Sequence, residues 1–246
     1  MTMRVLLIVT FALTFVVSGL MRLPLAAPLK MVDLPFESQG IKGTIWDGAI
    51  VGIVVEGEPV GDLTVHLRAS PLLLGRIETD AALVGRGIDV SGRLALSGRT
   101  MSLGGVEASV DLERLRLRDT LGRRLRGRLD AQVKELLFVG GACRRASLSA
   151  STNALAESLG AFASRGFAVS GEGRCEGGAL HLPMSGAGPD AEVEVMLTLE
   201  GDGTYKSRLA VIPQRTDLGL FLLNFGFRQE GDVFLTDRSG NVSESL

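Results

Sequence analysis

Histidines, cysteines and a dense run of arginines are the residues of this chain whose type and spacing bear most directly on chemistry. Nucleophilic catalysis needs a hydroxyl or thiol within hydrogen-bond reach of an imidazole that a third group orients. The two histidines, His66 and His181, have no Ser-rich elbow, no G-x-S-x-G and no paired His motif around them. His66 falls on the polar side of an alternating pattern, and His181 stands beside Pro183 at an expected strand end. Neither has a partner nearby in sequence, so both read as surface polar residues, and no catalytic residue or metal ligand is assigned. Gly85-Arg86-Gly87 lies between two strand patterns rather than between a strand and a helix. It reads as a turn, not a phosphate cradle, and no cofactor is implied.

The only cysteines, Cys143 and Cys175, have no metal-ligand spacing. An even count behind an export-type segment reads as one disulfide; two unrelated buried thiols are the alternative. Seven arginines, Arg114, Arg116, Arg118, Arg123, Arg124, Arg126 and Arg128, crowd into fifteen residues, with Leu115 and Leu117 alternating among them. That alternation predicts the arginine-covered outer face of a strand. Its two uses are a solvated surface or a contact for an acidic partner or anionic headgroups, the latter only where the strand lies near a membrane.

The elements that must position these residues follow from hydrophobic patterning. Hydrophobic residues make up 46% of 246 and charged residues 22%, enough apolar material for a packed body rather than a disordered chain. A net charge of -2 gives no electrostatic footprint for nucleic acid, and aromatics at 5%, with single residues Trp46 and Tyr205, leave few stacking platforms. Val193, Val195, Leu197 and Leu199 interleave with Glu192, Glu194, Thr198 and Glu200. Leu63, Val65 and Leu67 interleave with Asp62, Thr64, His66 and Arg68, and the period returns around Ile88–Val90 and Leu94–Leu96. These are half-buried antiparallel strands. Gly85, Gly87, Gly92, Gly98, Gly104 and Gly105 are spaced as turn residues of a meander. Two stretches read instead as short helices, 154–165 and 217–225, the second capped by Asp or Thr and able to cover a sheet edge or face. The fold class is therefore mainly β: an N-terminal transmembrane helix, then a large curved antiparallel sheet or sandwich-like meander with one or two short helices.

From Val5 to Met21 no charge interrupts the chain, and Arg4 and Arg22 flank the run. Seventeen residues reach about 25 Å at ~1.5 Å each, and snorkelling arginines extend that toward a hydrocarbon core of ~30 Å. A cleaved signal peptide competes, but Arg22–Pro28 lacks a clean A-x-A site. Residues 1–30 are thus expected to form a cytoplasmic tip, anchor and linker, and residues 31–246 a single periplasmic β-rich domain of a bacterial inner-membrane protein.

Several segments together resemble the type II secretion system protein N (general secretion pathway protein N) family. Gly43-Thr44-Ile45-Trp46-Asp47-Gly48 is similar to its early Gly-Thr-x-Trp-x-Gly signature, and Ser70-Pro71-Leu72-Leu73-Leu74-Gly75 to its Pro-x-x-Leu-Leu-x-Gly stretch. The two cysteines follow, then Leu222–Gly226, Gly231-Asp232 and Arg238-Ser239-Gly240 near the end. The chain departs from the pattern between Val60 and Arg68, where no aromatic stands. The resemblance implies a non-enzymatic subunit of the machinery that moves folded proteins from the periplasm across the outer membrane. Its partners would be other inner-membrane subunits of that system, with membrane lipid met through the N-terminal helix, and no nucleic acid. Gly43, Thr44, Trp46, Gly48, Pro71 and Gly75 are structural motif residues on this reading, Trp46 packing inside a Gly-flanked strand or touching a partner. A periplasmic lipid-handling protein, AsmA-like or lipopolysaccharide-transport-like, is the competing reading. A closed, well-filled inner face favours the scaffold and an open apolar groove favours lipid.

Overall fold

A computed structural model describes residues 18–19, 22–29, 36–55, 57–115, 126–154 and 167–241. The expected helix at 154–165 lies outside these residues except for Ala154, as does the apolar run except for Ser18 and Gly19. No helix among the described residues is long and apolar enough to cross a membrane.

The strands are β1 (Gly40–Gly43), β2 (Gly48–Val55), β3 (Glu58–Leu67), β4 (Ile77–Gly85), β5 (Ile88–Ser97), β6 (Thr100–Asp111) and β7 (Arg128–Val139). They continue as β8 (Ala142–Thr152), β9 (Val169–Glu176), β10 (Ala179–Ala187), β11 (Ala191–Leu199), β12 (Thr204–Pro213), β13 (Arg228–Glu230) and β14 (Val233–Asn241). Among the described residues three short helices accompany them: α1 (Ala26–Leu29), α2 (Ala69–Leu72) and α3 (Thr216–Asn224). All fourteen strands form one sheet in sequence order except at the end, where β14 lies between β12 and β13. Of the two expected forms, the single open sheet is the one observed.

Short hairpins impose this order, because a tight turn leaves each strand no neighbour but the next. Gly140-Gly141 and Gly177-Gly178 take positive φ at both positions, the backbone that two-residue turns with the right twist require. At ~4.8 Å between strands the sheet extends about 60 Å from β1 to β13. Register slips in β2–β3, β5–β6 and β7–β8 bend it. One slip corrects the expectation for three glycines. Gly92 lies inside β5, and Gly104 and Gly105 lie inside β6, where Gly105 at φ 58° supplies the extra residue of a bulge. A second correction concerns the arginine run. Leu112 to Leu115 form a turn after β6, so Arg114 lies in no strand, and β7 begins only at Arg128.

Register places one apolar side chain opposite another from β3 to β8, as in Leu63↔Leu83↔Val90↔Ala108↔Ala131↔Ala150. One face is therefore apolar and the other polar. The core nevertheless divides into three clusters. Leu25 packs on Ile50 and Ile53 at the N-terminal end. Leu136, Phe138, Cys143 and Leu180 form the middle cluster. At the C-terminal end Leu218 and Leu222 of α3 pack on Val193, Val211 and Phe234, so this helix covers the apolar face. Its expected cap is absent: neither Thr216 nor Asp217 is the N-cap residue, which is Arg215, with no side-chain cap bond. Strands β3 to β6 contribute no fully buried residue.

Candidate functional site

An up-and-down meander has two faces, two rims and two edges, and each candidate residue belongs to one of them. The β1–β2, β3–β4, β5–β6, β7–β8, β9–β10 and β11–β12 connections share the first rim; the β2–β3, β4–β5 and β6–β7 connections lie on the second.

The early signature occupies the first rim. Thr44 to Asp47 is the β1–β2 turn, so Trp46 lies in a turn, half-buried, rather than inside a strand as expected. The Thr44 hydroxyl accepts the backbone N–H groups of Trp46 and Asp47 at 3.3 Å each, and the Asp47 carbonyl accepts from Thr44 N at 3.0 Å. Gly43 has φ 80°, and a side chain there would strike the Asp47 carbonyl. A side chain at Gly48 would strike Leu25 and the Thr44 carbonyl. Four of the motif residues thus encode one tight turn. It joins its neighbours through Leu67 N to Trp46 O at 3.2 Å and Ile45 N to Leu23 O at 3.1 Å.

The second motif forms the β3–β4 loop on the same rim. Pro71 lies in the one-turn helix α2, and its carbonyl accepts from Leu74 N at 2.9 Å and Arg76 N at 3.0 Å. Gly75 closes the loop at φ 70°. Leu73 is 90% exposed and Leu74 78%. Sequence reasoning treated this motif as structural and missed the exposure. The legible signal was a leucine run held between Pro and Gly, which makes a loop too tight to bury it.

His66 and His181 both point to the polar face. His66 is exposed, stands opposite Asp80 in register, and lines an open hollow of about 670 Å³ with Arg93 and Lys134. His181 corrects the expectation. It lies within β10, half-buried, with Nδ1 3.2 Å from the Thr198 hydroxyl. The strongest electrostatics of this face was invisible in sequence. Arg68 contacts Glu78 at 3.4 Å and Asp80 at 2.8 Å, and Arg93 contacts the same two acids at 3.4 and 3.0 Å. Hydrogen bonds from Arg68 and then Arg93 hold the Asp80 carboxyl below its ordinary range. Asp237 of β14 is lowered in the same way, first by Arg208 and then by Arg228. A second hollow of about 640 Å³ is lined by Asp89, Glu107, Asp130 and Glu172 among serines; there Ser109 donates to Asp130 at 2.8 Å. Among the described residues no group of His, Cys, Asp and Glu is arranged to hold a metal ion.

Cys143 and Cys175 form a disulfide, Cα atoms 5.4 Å apart, joining the start of β8 to the end of β9 inside the middle cluster. Arg114, Arg126 and Arg128 are exposed on the second rim, with Arg114 3.2 Å from Asp111; Arg116, Arg118, Arg123 and Arg124 lie outside the described residues. At the far edge β13 covers only Val233–Leu235 of β14, so among the described residues no strand pairs the outer side of Thr236–Gly240.

The family model for type II secretion system (T2SS), protein N matches residues 35–234. Over 79 residues the chain is 37% identical to a protein named type II secretion system protein N from Vibrio cholerae serotype O1 (strain ATCC 39315 / El Tor Inaba N16961), a stretch covering 31% of each chain. The matched stretch is thus about a third of that relative's length. No solved structure matches.

Proposed function

The chain belongs to the type II secretion system protein N family, and from that premise we propose that it is an inner-membrane-anchored subunit of the type II secretion machinery. In this role it assists export of folded proteins from the periplasm across the outer membrane. The observation that carries the reading is that the family match over residues 35–234 takes in nearly the whole sheet, not one loop or hairpin.

The body acts through surfaces rather than through a reaction. Beyond Leu235 the outer side of Thr236–Gly240, which no described strand covers, gives a strand of a neighbouring subunit an edge to pair with, and main-chain bonds would give affinity there. The N-terminal apolar run leads into Leu23–Leu25, which bonds to the first rim through Leu25 N to Gly43 O at 3.2 Å. From that rim, Arg114, Arg126 and Arg128 stand a strand length away, about 40 Å at ~3.3 Å per residue for the 12 residues of β6. That distance exceeds the Debye length of ~8 Å several-fold, so these arginines suit an acidic protein partner and not headgroups of the same membrane. Deleting the gene is expected to leave a normally secreted enzyme in the periplasm, with restoration by the wild-type copy. Export at the normal level in the deletion strain would overturn the reading.

The competing lipid-handling function draws on one observation, the half-exposed apolar face of β3 to β6. Stoichiometric phospholipid or lipopolysaccharide in protein purified from membranes, found by mass spectrometry, would favour it.

A further inference from the structure

Leu73 and Leu74 are the most exposed large apolar side chains of the described residues, at 90% and 78%. They are adjacent, and the loop that carries them is held by three short backbone bonds: Leu74 N and Arg76 N to Pro71 O, and Gly75 N to Leu72 O. A flexible loop would fold its leucines back onto the sheet. This one presents them outward on a rigid tip, with exposed Arg76 and Ile77, the latter 49% exposed, immediately behind. A pair of leucines held in water is unfavourable unless something apolar meets it.

Position identifies what meets it. Leu67, at the base of the loop, bonds to Trp46 in the β1–β2 turn, and Ile45 of that turn bonds to Leu23. Leu23, itself 37% exposed, follows Arg22 and the uncharged run from Val5 to Met21. The base of the leucine loop and Leu23 are therefore two hydrogen bonds apart on one rim. We propose that Leu73 and Leu74 insert into the surface of the bilayer that the apolar run enters, giving the sheet a second fixed point on the membrane. In that placement exposed Arg76, just behind the tip, would meet the headgroups, where cations are favoured. Two contacts on one rim fix the direction in which the sheet extends, which one flexible tether does not. The inference rests on the anchored reading of the N-terminal run.

The test uses the full-length chain reconstituted into phosphatidylethanolamine and phosphatidylglycerol vesicles, with or without acyl-chain bromine as an indole quencher. In a Trp46→Phe background, Leu73→Trp is expected to lose emission in brominated vesicles. Val84→Trp, on the second rim and 56% exposed in the native chain, is expected to keep its emission. Adding Leu74→Glu to Leu73→Trp should restore emission. If Trp46→Phe lowers the melting temperature, the comparison is repeated with Trp46 retained and its own quenching subtracted. Equal emission from Leu73→Trp in both vesicles, with the chain still membrane-bound, overturns the proposal, leaves the anchor standing and assigns the leucines to a protein partner. Release of the chain by alkaline carbonate overturns the anchor; quenching at position 73 in the same preparation would still support the loop contact.

Discussion

Replacing Leu218 by Ala tests how the open sheet is held together. Leu218 is 1% exposed and packs with Leu222 on Val193, Val211 and Phe234. The change removes three carbons, about 2.4 kcal/mol at ~0.8 kcal/mol for each buried CH₂ group. The unfilled cavity adds to this, which brings the expected loss to about 3–4 kcal/mol. Leu220, on the same helix but 61% exposed, should lose about 1 kcal/mol or less for the identical change, because most of its surface is already wet. For a chain of this size ~1 kcal/mol corresponds to about 2–4 °C, so Leu218→Ala should melt roughly 6–16 °C lower than wild type and Leu220→Ala within a few degrees of it. The three clusters also predict where the loss appears. Apart from β14, which lies between β12 and β13, each strand pairs only with its sequence neighbours, so destabilisation at one end is transmitted weakly along the sheet, as in solenoids. Amide hydrogen exchange of Leu218→Ala should show lost protection in α3, β11, β12 and β14, with β2 to β5 unchanged. Equal effects of the two substitutions would refute the packing of α3. Uniform loss of protection along the sheet would refute the separation of the clusters.

Three further outcomes are expected. Replacing both Cys143 and Cys175 by Ala should lower stability by about 3.7 kcal/mol, the chain-entropy value for their separation of 32 residues, read by denaturant unfolding; non-reducing mass spectrometry of the native protein should find no free thiol. Asp80→Asn should cost less than about 1 kcal/mol at neutral pH, because the ion pairs are half-exposed and screened. Its folded-state pKa is lowered, so its stabilisation is complete above the unfolded value of ~3.9 and is lost as pH falls through the folded value. The acid limb of the stability curve should accordingly flatten in Asp80→Asn below that pH. His66→Ala and His181→Ala should leave secretion of a reporter enzyme intact while the protein stays folded; loss of export from His66→Ala alone would point to chemistry on the polar face.

The sequence by itself determined the strand content, the turn positions at Gly87 and Gly98, and the helix after Arg215. These depend on local causes: the period of two along a strand, the positive φ a tight turn needs, and the apolar spacing of Leu218 and Leu222. The cysteine pairing was legible too, because two cysteines permit one intramolecular bond. Only the tertiary structure decided what depends on register. Arg68 and Arg93 grip the same two acids because β3, β4 and β5 align in one register and no other. His181 acquires Thr198 as a partner for the same reason. Bulge glycines and turn glycines look alike in one dimension, so Gly105 needed its pairing with β5 to be told from Gly98. The rims came last of all. Parity of the meander sets the Leu73 loop on the same rim as Leu23 and Arg114 and Arg128 on the other, a consequence of how many strands intervene and not of any residue in either loop.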